Sequence, residues 1–139
     1  MSLRLSTVIL PVDRWHEGGR ATWQRAEELG FHTAYTYDHL SWRTFRDGPW
    51  FGALPTLTAA ATATERLRLG TLVTSPNFRH PVTLAKELIS LDDVSGGRVT
   101  LASAPAATAS TPPRSVRRRG RRRSGRTVSP SSCRCSTGC

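Results

Sequence analysis

The chain has 139 residues, enough for one ordinary domain, and a formal net charge of +10 that taken alone points to a polyanionic partner. No stretch is long and apolar enough for a membrane span, and the opening "LRLSTVILP", broken by Arg4 and Ser6, lacks a small-x-small cleavage site. The charge is uneven: residues 1–101 hold 11 Lys/Arg against 10 Asp/Glu, whereas residues 102–139 hold nine arginines and no acid. All ten aromatic residues lie at or before Phe78, and the three cysteines, Cys133, Cys135 and Cys139, lie in the last seven positions. Two segments of different character meet near Leu101. A cysteine-free first segment fits a cytoplasmic protein.

"LRLSTVIL" (3–10) is β-rich and nearly continuous in apolar character, as expected of a strand buried on both faces, and Pro11 ends it. In residues 15–29, Trp15, Gly19, Trp23, Ala26 and Leu29 recur near helical spacing, with Gly30 as a natural stop. "FHTAYTYDHL" (31–40) reads as a second strand, followed by the Gly/Pro/Trp-rich loop "SWRTFRDGPWFGAL". Pro55 is expected to open an alanine-rich helix, and "RLRLGTLVTS" (66–75) is a third strand. Pro81 opens a third helix with Val82, Ala85 and Ile89 on one face and Leu84, Leu88 and Leu91 beside it. Gly96 and Gly97 stop that helix, and "RVTL" (98–101) starts a fourth strand.

The order β-α-β-α-β-α-β predicts a parallel sheet with right-handed crossovers, shared by doubly wound sheets and (β/α)₈ barrels. After the first strand stands "PVDRWHEGG" rather than a G-x-G-x-x-G loop, which counts against a dinucleotide-binding fold.

Ligands in such sheets bind beyond the C-terminal strand ends. Those ends carry Pro11-Val12-Asp13, Asp38-His39 and Thr74-Ser75-Pro76-Asn77. Asp38-His39 is the most chemically capable pair, since histidine exchanges protons near neutrality and a carboxylate can orient it. The plainer alternative is that Asp38 caps a turn and His39 packs. "TLVTSPNFRHP" (71–81) offers small polar groups and Phe78 to a flat aromatic ligand, or is an ordinary turn set by its prolines. Trp42, Phe45, Trp50 and Phe51 form an aromatic loop that covers a ligand or packs on the rim. His32 and His80 lack metal-like spacing with any cysteine or carboxylate cluster, so no metal site is assigned.

"AEELGFHTAYTYDHL" followed by "RLRLGTLVTSPNFRHPVTLAKELISLDDVSGGRVTL" resembles the N-terminal part of the bacterial luciferase-like monooxygenases, flavin- or deazaflavin-dependent oxidoreductases. The resemblance covers about Leu3 to Leu101 and implies the first half, about four strands, of a (β/α)₈ TIM barrel. It implies an FMN or deazaflavin (coenzyme F-420) ring in the C-terminal mouth, hydride transfer with a small organic substrate, and a homodimer for full-length members. It further implies that Asp38 and His39 face the ring, His39 as base or polar contact. Val73 and Thr74 lie behind the ring, with a non-proline cis peptide near Leu72-Val73, and Trp42 stands on the substrate side.

After Leu101 the family pattern continues with a glycine-rich strand end, whereas this chain gives "ASAPAATASTPP". One base restored after the Leu101 codon lets synonymous codons for residues 102–113 read G-I-G-A-G-G-D-G-F-D-A-T, the expected continuation. Residues 102–139 are therefore expected to be an out-of-frame, disordered tail, and catalysis by this chain alone is not expected. The alternative is a polybasic arm (114–126) that binds nucleic acid non-specifically through counterion release. Against it, no lysine accompanies the arginines and no aromatic is present to stack on bases.

Overall fold

The computed structural model describes residues 3–75 and 78–103. The arginine run and the cysteines lie outside the described residues. Strands β1 (Ser6–Val8), β2 (Thr33–Thr36), β3 (Arg68–Thr74) and β4 (Val99–Ser103) form one sheet in the order β1-β2-β3-β4, every pair parallel. Helices α1 (Arg20–Glu28), α2 (Ala53–Ala63) and α3 (Pro81–Ser95) make the crossovers. A π-helical turn, Trp15–Gly19, leads into α1. This is the first arc of a TIM barrel.

The core is the layer between helices and sheet. Trp23 and Ala26 of α1, Leu54, Leu57, Ala60 and Ala61 of α2, and Leu91 of α3 close over Ala34, Leu67 and Leu69. Alanines along α2 keep its axis near the strands, so the layer is thin and dry. On α3, the Leu84, Leu88 and Leu91 face packs inward. The alternative stripe faces water: Val82 is 70% and Ile89 67% exposed. Helix α2 begins at Ala53, two residues before Pro55. Pro55 still falls within the first turn, where its missing N–H costs no intrahelical hydrogen bond. Gly96 (φ +66°) and Gly97 (φ +78°) end α3 in the left-handed region, their N–H groups donating to Asp93 O and Asp92 O at 3.0 and 2.9 Å.

One strand departs from expectation. The first is only three residues long and Leu3 and Leu5 are 83% and 56% exposed. Ser6 and Val8 are exposed and Thr7 half-buried, so neither face of β1 is fully covered, and among the described residues it has a strand neighbour on one side only.

Two charged side chains organise the end of the sheet opposite the strand C-termini. The turn from α2 to β3 runs through Thr64–Leu67. The Glu27 carboxylate accepts its N–H groups, from Glu65 at 3.0 Å, Arg66 at 2.5 Å and Leu67 at 2.8 Å. Arg98 takes the carbonyls of the same region, donating to Ala61 O (2.7 Å), Thr64 O (3.0 Å) and Leu67 O (2.9 Å), and to Ser95 O at 2.6 Å. Burial pushes the Glu27 carboxyl up, but the three N–H donors and nearby Arg66 outweigh it, leaving the group below the ordinary value of 4.5. A depressed carboxylate stabilises the fold above its unfolded value and loses that contribution as pH falls through the folded one. The stability difference between the parent chain and Glu27→Gln is therefore expected to be full at neutral pH and to shrink as the solution is acidified below about 4.5, read from denaturant midpoints along a pH series.

Val8, Tyr35, Gly70 and Thr100 share one register layer across the four strands. A Cβ on Gly70 would meet Thr100 O at 2.3 Å and the Tyr35 ring at 3.0 Å. Backbone lies on one side and an aromatic ring on the other, so neither yields cheaply. Gly70→Ala is expected to destabilise by at least about 2 kcal/mol, measured by urea denaturation.

Candidate active site

The strand C-terminal ends gather the polar residues. Past β2 the chain runs Tyr37-Asp38-His39, and past β3 it enters Ser75. Asp38 is 2% exposed, and a carboxylate so deep requires partners. It has them on the neighbouring crossover. Ser75 N–H donates to Oδ2 at 3.1 Å, and the Arg79 guanidinium makes a close ion pair with the same oxygen. Arg79 also lies over the Phe78 ring, 4.6 Å from its centroid. One carboxylate thus ties the end of β2 to the start of the β3–α3 connection.

His39 points elsewhere. Its ring stands 4.9 Å from Trp42 and 6.1 Å, edge to face, from Tyr37. Trp42 in turn stacks on Trp50 at 6.4 Å, and Phe45 joins Trp50 at 6.0 Å. The loop that carries these rings is pinned twice. Trp50 Nε1–H donates to His39 O at 2.8 Å, and Phe51 N–H to Pro11 O at 2.8 Å. The result is a half-buried wall of flat rings with a histidine set in it. His39 Nδ1, Thr36 Oγ1 and Ser75 Oγ are buried without a hydrogen-bond partner among the described residues.

The peptide Leu72-Val73 is cis, and the β3–β4 register shifts between Leu72 and Thr74. Val73 is half-buried there, but Thr74 is 1% exposed and its hydroxyl lies against that of Thr71. What Thr74 can offer a ligand is backbone. The structure thus brings His39, Trp42 and Tyr37 together, while Asp38 is engaged by Arg79 and Ser75. Pro76 and Asn77 lie outside the described residues. Among the described residues no cluster of metal-ligating side chains is present and no helix is long and apolar enough to cross a membrane. Arg79 is the residue that sequence patterns missed; its partner lies 41 positions away. A groove of about 600 Å³ along β1 and α1 includes none of Asp38, His39 and Trp42.

Four parallel strands in sequence order, joined by crossover helices, are the fold of the first part of a TIM barrel. The chain belongs to the luciferase-like monooxygenase family, whose sequence pattern matches residues 14–120. It is 45% identical over 78 residues to an F420-dependent glucose-6-phosphate dehydrogenase of Beutenbergia cavernae, covering 55% of this chain and 23% of that protein. The coenzyme F420-dependent tetrahydromethanopterin reductase of Methanopyrus kandleri superposes with a TM-score of 0.67 at 28% identity, over 79% of this chain and 29% of that one. A type II Baeyer-Villiger monooxygenase of Pseudomonas putida, in complex with FMN, shares the fold at TM-score 0.65 and 18% identity, over 76% of this chain and 30% of that one. The chain spans about a quarter of the length of the curated relatives it matches.

The wall itself is open to a direct test. Trp50→Phe keeps the ring stack but removes the donor to His39 O, and is expected to lower stability by about 1 kcal/mol, read from the denaturant midpoint.

Proposed function

We propose that the strand-end mouth is the part of an oxidoreductase site that receives the isoalloxazine-type ring of FMN or a deazaflavin. The supporting observation is His39, set in a wall of flat rings with its buried Nδ1 unpartnered. Flat rings and a free imidazole nitrogen suit a planar heteroaromatic group. Such a group supplies hydride transfer when bound. The chain's own residues do the rest. His39 accepts or returns the proton that accompanies substrate oxidation or reduction. Trp42 covers the substrate side, and Val73 with the backbone at Thr74 supports the opposite side. Asp38 holds the β2 end in place. The substrate is a small organic molecule.

The chain carries four strands among its described residues, and a closed barrel of this type needs about 250 residues in all. Among the described residues β1 and β4 each have a neighbour on one side only, and edges left so invite aggregation or a requirement for a partner. We propose further that residues 102–139 are read out of frame. The composition changes abruptly near Leu101, and a shifted reading supplies a glycine-rich strand end. The tail's nine arginines then carry no selected function.

The test has two arms. Titration of the purified chain with FMN and with a deazaflavin is expected to give no stoichiometric binding. Inserting one base after the Leu101 codon, if the downstream DNA continues the barrel, is expected to restore binding. In that restored enzyme His39→Ala should lower kcat by about 10²-fold or more while leaving cofactor affinity within a few-fold. Stoichiometric binding and turnover by the present chain would refute the fragment reading. A downstream frame without barrel-like sequence would make the tail part of the chain's own design, in keeping with a family match that runs to residue 120.

A further inference from the structure

The histidine at the mouth is fixed from two directions, and only one of them is local. On one side Trp50 Nε1–H holds the His39 carbonyl at 2.8 Å. On the other, the adjacent residue Asp38 is clamped through its side chain by Ser75 N–H and Arg79. Asp38 is 2% exposed, and the Arg79 side chain 17%. In so dry a place the loss of either charge leaves the other without compensation. Arg79 is itself oriented, its guanidinium lying over Phe78. The connection 78–80 is therefore stapled to β2 through a charge pair rather than through apolar packing.

From this geometry we propose that Arg79 is a positioning residue for His39. By neutralising Asp38 it fixes the backbone at 38–39, and with it the tilt of the imidazole against Trp42 and Tyr37. Among the described residues Arg79 pairs with Asp38 and lies over Phe78, so its action on His39 runs through Asp38. Nε and Nη2 are not needed for the pair, which uses Nη1 alone. A lysine ammonium can therefore replace it in this role, although it could not replace a two-pronged contact. The proposal rests on the reading of His39 as the proton-handling group. Its test needs no cofactor, so the two can fail separately.

The His39 ring centroid lies 4.9 Å from that of Trp42, and the ring is nearly perpendicular to that of Tyr37, so its protons are expected to show ring-current displaced NMR signals. Those signals are assigned with His39→Gln and followed well below the unfolding temperature. Arg79→Met and Asp38→Asn are each expected to lose most of the displacement, and Arg79→Lys to keep it. The double variant should be no worse than either single one, since both act through one link. Three results overturn the proposal: a folded Arg79→Met chain with unchanged His39 signals, additive losses in the double variant, or a lysine variant as disturbed as the methionine one. If Arg79→Met does not fold, Asp38→Asn and Arg79→Lys decide the matter by the same signals.

Discussion

Glu27 and Arg98 divide the backbone of one turn between them. The carboxylate collects the N–H groups of residues 65–67, and the guanidinium collects the carbonyls of Ala61, Thr64 and Leu67. Of these amides that of buried Leu67 has the least access to water, and a buried polar group left unpaired costs about 1–3 kcal/mol. Because the turn is satisfied, β3 enters the sheet at a fixed height. Its register then places Leu69 in the core, Gly70 against β4, and Thr74 and Ser75 at the far end where Asp38 waits.

The two ends of the sheet use the same device for different purposes. At the strand N-terminal end a Glu and an Arg, each bonded to backbone, lock three helices to β3 and β4. At the C-terminal end an Asp and an Arg bond mainly to each other, and hold the segment that carries His39. The first arrangement spreads its hydrogen bonds over many partners and tolerates loss gradually. The second concentrates them on one carboxylate oxygen, so a single substitution changes the geometry of the mouth.

Much of this was legible in the chain. Apolar periodicity and the Gly-Gly stop placed three crossovers and four parallel strands, since each helix stripe and strand run is a local pattern. Asp38 and His39 stood out as candidates because strand ends in parallel sheets are where ligands bind. What could not be read depends on distance along the chain. Nothing near Asp38 announces Arg79, and nothing near Glu27 announces the amides of residues 65–67. Spacing alone set the Val82, Ala85 and Ile89 row of α3 beside the leucine row; the fold buries Leu91 in the core with Leu84 and Leu88 packed against it, and leaves Val82 and Ile89 exposed. The expected two-sided burial of the first strand failed because burial is conferred by neighbours, not by composition.

The strands lie in space in the order in which they are made. Each βαβ unit can dock onto the edge laid down just before it, without waiting for a distant segment. Folding can therefore keep pace with synthesis, at about 5–20 residues per second. A nascent chain need expose only its latest edge while the ribosome is still at work. By the time β4 emerges, Glu27 and Arg98 have both been made and can already satisfy the turn that leads into β3.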